Sequence, residues 1–277
     1  GILFITYLMG FWKPTLIGIA LMFGFGKRKK LKAVCLTVSE TGAIRKDNQD
    51  SVFVDGAKTV FCVADGMGGG SEGATASRFV CEEIAKAVEG AQDLAVRMEA
   101  VEAAIVVAND RIRAYAKERD FKQMGSTVAV LLLDPSDSRR AAICHVGDSR
   151  IYRIRNRKAE LLTHDHTIGG QLGDLTKGVL SAGFKSRTNP LAHVLTRAIG
   201  GADKVEGDWR KVDVADGDRF LICSDGVHDV VSDARIGVIL SCPDGLKEAS
   251  RRLAEEVVRH GAPDNFSYVM IEFGGGR

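Results

Sequence analysis

The 277-residue sequence has no Cys-x-x-Cys pair, only 5 prolines, few aromatic side chains (6%) and a net charge of just +2. Each absence removes a class of protein. Without paired cysteines, zinc-ribbon and thioredoxin-type chemistry has no ligands. Cys62, Cys144 and Cys223 sit in apolar, strand-like runs. The cysteines therefore read as buried, reduced thiols of a cytosolic protein, not as disulfides or nucleophiles. So balanced a chain does not hold nucleic acid by neutralising phosphates. No GxxxxGK[ST] loop is present to cradle a nucleotide. What remains is an ordinary globular composition, 45% hydrophobic and 27% charged, enough to build a sizeable core.

Residues 1–26 carry one charge, Lys13, and run into the basic stretch KRKKLK at Lys27–Lys32. That length suits a membrane span, and the basic flank would keep the downstream domain in the cytoplasm. Lys13 and Pro14 oppose this, because they cost insertion energy and kink a helix. The stretch also lacks a secretory cleavage pattern. Two readings stand: a single-pass or interfacial anchor tethering the protein to the inner face of a membrane, and an extension with no anchoring role. Residues 1–30 are set apart on this basis, and residues 31–277 read as one domain without a linker.

Within that domain LKAVCLTVSE, SVFVDG, TVFCVADG, GSTVAVLLLD, RAAICHVGD, RIYRIR, DRFLICSDG and NFSYVMIEF read as strands. A helix is expected over about Glu72–Val88, where Ala76, Phe79, Val80, Ile84 and Val88 share a face. Others are expected over about Leu94–Lys117 and Leu246–His260. Strands meeting in hairpins with paired helices are α+β grammar, with mainly antiparallel sheets and no βαβ alternation. Arg153, Arg155 and Arg157 alternate, and are expected to line a solvated sheet edge.

The informative residues are aspartates. Asp50 opens a strand; Asp65, Asp148 and Asp225 end strands; Asp264 directly precedes the last one. Turn preference explains any one of them. The set is different, because strand ends deliver side chains to a common point. Several carboxylates at one point repel each other and are tolerable around cations. Oxygen ligands without Cys or His imply magnesium or manganese rather than zinc. Two such ions lower the pKa of a shared water and clamp the oxygens of an in-line displacement at phosphorus. Arg45, in the loop before Asp50, has a guanidinium suited to two phosphate oxygens at once.

TGAIRKDNQD, VADGMGGGSEG, GSTVAVLLL, HVGDSRIYRI, LTHDHT, HVLTRAIGG, LICSDGVHDVV and PDNFSYV occur in one order. Together they resemble the metal-dependent protein serine/threonine phosphatases of type 2C, in their compact bacterial form, over roughly Ala33–Phe273. The resemblance implies a four-layer α/β/β/α sandwich of two antiparallel sheets flanked by helix pairs. It implies a hydrolase of phosphoserine and phosphothreonine in signal transduction, acting through a metal-activated water without a phosphoenzyme. Asp50, Asp65, Asp225 and Asp264 would ligate two Mn2+ or Mg2+ ions, with the Gly66 carbonyl, and Arg45 would bind the substrate phosphate. Asp148 and Asp229 would help hold a third ion. The partners implied are phosphorylated proteins, those of a partner kinase; separately, the chain is expected to be a monomer.

Met67 stands where many eukaryotic members have a histidine that protonates the leaving group, so the proton donor is unassigned. His164 and His166 are candidate substitutes for that donor, but both read first as turn-edge residues that cap or face solvent; His228 is a candidate for tuning the metal shell. Arg150 is expected to support Asp148. Residues 168–192 match the family's flap, with Lys177, Lys185 and Arg187 facing substrate or solvent. A rival reading, a phosphatase-like module that binds phosphoproteins and turns over poorly, has only Met67 in its favour. Small phosphate esters stay open as substrates.

Overall fold

The computed structural model describes residues 30–175 and 193–274. The expected anchor at residues 1–26, and Lys177, Lys185 and Arg187 of the expected flap, lie outside the described residues. The strands and helices follow the order β1 (Lys32–Glu40), β2 (Asp50–Val54), β3 (Val60–Met67), α1 (Ser71–Ala87), α2 (Leu94–Glu118), β4 (Gly125–Ser126), β5 (Val128–Leu133), β6 (Arg140–Val146), β7 (Arg150–Arg155), β8 (Lys158–Leu161), α3 (Ile168–Leu175), β9 (Asp208–Asp213), β10 (Arg219–Cys223), α4 (Asp225–His228), α5 (Asp233–Leu240), α6 (Leu246–Arg259) and β11 (Phe266–Gly274).

Strand alternation builds the layers. Along β3, Val60, Cys62 and Ala64 point into a core shared with α1 and α2. Phe61 and Val63 point the other way, into a core between the sheets. Along β10, Phe220 and Ile222 enter that same middle core, while Leu221 and Cys223 face α5 and α6. A period of two thus places each strand between two apolar layers. The result is three cores and four layers, helix pair, sheet, sheet, helix pair, as the motifs imply. One sheet runs β1-β11-β10-β7-β8; the other runs β2-β3-β5-β6-β9, with β4 added to β3. Every pairing is antiparallel. The helices are capped from the sequence: the Asp93 side chain accepts the Val96 N–H at 2.9 Å and Ser232 accepts the Arg235 N–H at 3.3 Å.

The arginines of β7 depart from expectation. β7 lies inside its sheet, between β10 and β8, and is no edge. Arg153 and Arg155 share the side of Ile151, and both bond Asp213 at the end of β9 in the opposite sheet. Arg155 also forms a fork with Asp218, at 2.8 and 2.6 Å. They tie the two sheets together. Arg157 is not on the strand at all: with Asn156 it forms the β7–β8 turn, at φ of 51° and 61°.

Candidate metal centre

The register of β2 against β3 sets Asp50 directly opposite Asp65. Asp50 is buried, 8% exposed. Its Oδ2 accepts from Ser224 Oγ at 2.8 Å, while its buried Oδ1 has no partner in the protein. Burial raises the Asp50 carboxyl to about 7 despite the serine hydroxyls, with the charges of Asp225 and Asp264 adding to the rise. Burial also holds Asp65 well above the ordinary carboxylate value, followed by the charges of Asp225, Asp50 and Asp148. Asp225, first residue of α4 at the end of β10, is raised by burial and by Asp229. Asp264 reaches the same electrostatic neighbourhood from the start of β11. Its Oδ2 accepts from Arg45 Nη2 at 2.6 Å, and this bond leads the causes that raise the Arg45 guanidinium.

Carboxylates that raise one another need protons or cations between them. The orphaned Asp50 Oδ1 and the all-oxygen donor set fit hard divalent ions, Mn2+ or Mg2+.

The backbone fixes these side chains tightly. The Asp65 carbonyl accepts from the Thr127 N–H at 2.8 Å and from Ser126 Oγ at 3.0 Å, and its N–H donates to Thr127 Oγ1 at 3.0 Å. Gly66 admits no side chain, because a Cβ there would overlap the Gly73 carbonyl. Asn265 staples the Arg45 loop to β11: its Nδ2 donates to the Thr41 and Asp47 carbonyls and its Oδ1 accepts the Gln49 N–H. Sequence reasoning missed Thr127, Ser224 and Asn265. The Asn of PDNFSYV was a findable signal, since a polar residue entering an apolar strand needs partners.

Asp148 and Asp229 line a cavity of about 340 Å³ beside this centre, with His228 and His193. Burial raises Asp148, and the charges of Asp225, Asp165 and Asp229 add to it. Burial also pushes Asp229 upward, but the His228 and His193 imidazoles outweigh this and hold it below its ordinary value. His228 Nδ1 lies 3.3 Å from Asp229 Oδ1, and its Nε2 lies 3.0 Å from the Asp148 carbonyl. His228 thus touches both residues of the expected third site. Arg150 does not pair with Asp148. It grips Asp165 through two bonds, at 2.9 and 2.5 Å, and reaches Asp233 at 3.1 Å.

His164 is exposed, as a turn-edge residue should be, but His166 is buried. The His166 Nδ1 accepts the Gly147 N–H, its own N–H donates to the Gly147 carbonyl, and Nε2 meets Asp208. Arg197 holds the other Asp208 oxygen. Through Gly147 this brace fixes the residue before Asp148. His145, His166 and Asp208 bring ligand atoms within 4.8 Å of one another, the one such triple among the described residues. It is not built for a cation. The Gly147 N–H puts the His166 proton on Nε2, where a metal would need a lone pair. The two rings also stack, with centroids 4.6 Å apart, so their in-plane lone pairs do not converge.

Sequence reasoning also overlooks two nucleophile spacings. Cys144 to Arg150 reads Cys-x5-Arg, and Gly69 to Gly73 reads GxSxG. The structure gives neither its chemistry. Cys144 is fully buried in the helix-facing core, burial pushes its thiol upward, and Arg150 is committed to Asp165. Ser71 opens α1 and, among the described residues, has no hydrogen bond to a histidine.

Carboxylates gathered at the ends of strands from two stacked sheets define the class: a double-sheet sandwich carrying an all-oxygen centre for divalent cations. The chain belongs to the protein phosphatase 2C family, whose model matches residues 39–265. It is similar to the serine/threonine protein phosphatase PstP of Mycobacterium tuberculosis, 33% identical over 237 residues, 84% of this chain and 44% of that protein. It is similar to the serine/threonine phosphatase stp of Listeria innocua, 31% identical over 84% of this chain and 93% of that protein. The chain thus spans less than half the length of PstP. The catalytic domain of a PstP, solved in complex with two manganese ions, superposes with a TM-score of 0.75 at 32% identity, covering 88% of this chain and all of that one.

Proposed function

We propose that residues 31–277 form a protein serine/threonine phosphatase domain that hydrolyses phosphoserine and phosphothreonine esters in proteins. The observation that carries this reading is Asp50, buried with an orphaned carboxylate oxygen and set directly opposite the half-buried Asp65. Asp50, Asp65, Asp225 and Asp264 would hold two Mn2+ or Mg2+ ions, with the Gly66 carbonyl. Asp148 and Asp229 would hold a third. When bound, such ions offset the charge of a phosphate and make water acidic enough to attack it.

This chain's own residues prepare the rest. Ser224 orients Asp50; Thr127 and Ser126 lock Asp65; Asn265 sets the loop that carries Arg45. The Arg45 guanidinium, with its side chain 52% exposed, can exchange Asp264 for phosphate oxygens at the mouth of the site. The intact centre favours an enzyme over a binding module of low turnover. The domain acts as a monomer in the cytoplasm, on substrates of a partner kinase. Among the described residues no helix is long and apolar enough to cross a membrane. An anchoring role for residues 1–26 is separate from this chemistry, and fractionation with and without residues 1–30 tests it.

Hydrolysis of a phosphothreonine peptide with manganese, with and without chelator, tests the main reading. Turnover that survives full chelation would defeat it. Asp225→Asn is expected to abolish turnover, and near-normal activity would remove Asp225 from the centre.

A further inference from the structure

The two flanks of the metal centre differ in charge. On one side, Asp148, Asp165, Asp229 and Asp233 line the cavity of about 340 Å³, with one arginine among them, Arg150, which pairs with Asp165 and Asp233. On the other, two adjoining cavities of about 450 Å³ each share Lys122, Met124, Gly200 and Gly201, and no carboxylate lines either. Met67, one residue beyond Gly66, lines one of these cavities, and His193, which pairs with Asp229, lines both that cavity and the Asp148 one, so this groove adjoins the acidic cavity.

Its make-up suits a peptide chain. Gly200 and Gly201 give it a floor without side chains, on which a backbone can lie close. Gly200 has φ of +92°, and a Cβ there would press on Ile112 and on the Met124 carbonyl, so the bare floor is required by the fold. Met67, Met124 and Phe121 supply apolar walls, two of them adaptable thioethers. The cations along it are Lys122, Lys117 and Arg113. Arg113 is paired with Asp203, while Lys117 and Lys122 are exposed. Lys117 sits in the last turn of α2, where a cation is also favoured by the helix dipole.

We infer that this groove receives the acidic flank of a phosphoserine- or phosphothreonine-containing polypeptide, with Lys122 and Lys117 meeting its carboxylates. The inference rests on the phosphatase reading above and adds a sequence preference to it. An acidic flank is drawn to the Lys122 side, which no carboxylate lines, so charge favours that direction for the substrate leaving the centre.

The test compares phosphothreonine peptides with acidic, neutral and basic flanks, using the manganese-loaded protein and the double variant Lys117→Glu/Lys122→Glu. Each rate is divided by that for p-nitrophenyl phosphate, which has no flank. The wild-type ratio is expected to favour the acidic over the basic peptide by roughly fivefold at low salt, and less at high salt. The double variant is expected to reverse the order. Equal ratios for all flanks, or an order unchanged in the double variant, would overturn the groove assignment while the phosphatase reading stands. Hydrolysis of p-nitrophenyl phosphate with no peptide hydrolysed would overturn both.

Discussion

His166 Nε2 lies 3.0 Å from Asp208 Oδ2, and on the far side of the same ring Nδ1 accepts the Gly147 N–H at 3.0 Å. One buried imidazole thus connects the start of β9 to the residue that precedes Asp148. His166→Ala would leave the buried Gly147 N–H without its acceptor. A loss of about 1–3 kcal/mol in denaturant unfolding is expected. His166→Asn keeps an acceptor near the Nδ1 position and should recover part of it. An alanine variant as stable as wild type would show that the brace holds nothing.

Proton binding by Asp50 gives a second prediction. Its carboxyl is raised to about 7, so the metal-free fold binds more protons than the unfolded chain below that pH. That contribution to stability is present at low pH and is lost as pH rises from the ordinary carboxylate range through about 7. Cations replace those protons. The rise in melting temperature on adding Mn2+ should therefore be small at pH 5 and grow through pH 7.5, measured by calorimetry. A manganese shift independent of pH would count against the Asp50 cluster as the binding site.

Gly66→Ala should damage both fold and centre. The added methyl overlaps the Gly73 carbonyl, which is backbone at the start of α1 and cannot swing aside. Overpacking of this kind costs about 1–3 kcal/mol. Titration calorimetry should also show weaker Mn2+ binding, since β3 carries Asp65 next door. Full Mn2+ affinity in a destabilised variant would separate Gly66 from the centre.

Arg45→Ala is expected to raise KM with a smaller effect on kcat. The side chain is half exposed, and its pair with Asp264 is open to solvent, so the melting temperature should barely move. A variant with unchanged KM would take Arg45 out of phosphate binding.

The layers and the aspartates were legible because they follow period-two burial and strand ends. β3, β5, β6, β10 and β11 are apolar almost throughout, as strands covered on both faces must be. β8 and β9 were not legible: KAEL and DWRKVD are short, charged and largely exposed, and only their neighbours make them strands. Missing β9 concealed more than a strand. Its register sets Asp208 beside His145, and without that pairing nothing in the sequence links Asp208 to His166. The arginines of β7 misled for a similar reason: alternation gives a face, but not whether acidic partners wait in the other sheet.

β11 is the last strand in sequence, yet it lies inside its sheet, between β1 and β10. It comes directly after Asp264 and the Asn265 staple. A growing chain that has not yet reached this strand has neither a closed first sheet nor a seated Arg45 loop, however well its other elements have formed. The Arg45 loop is therefore held by contacts between segments far apart in sequence, Asn265 with Thr41 and Asp47, and such long-range closure is slow to form relative to local structure.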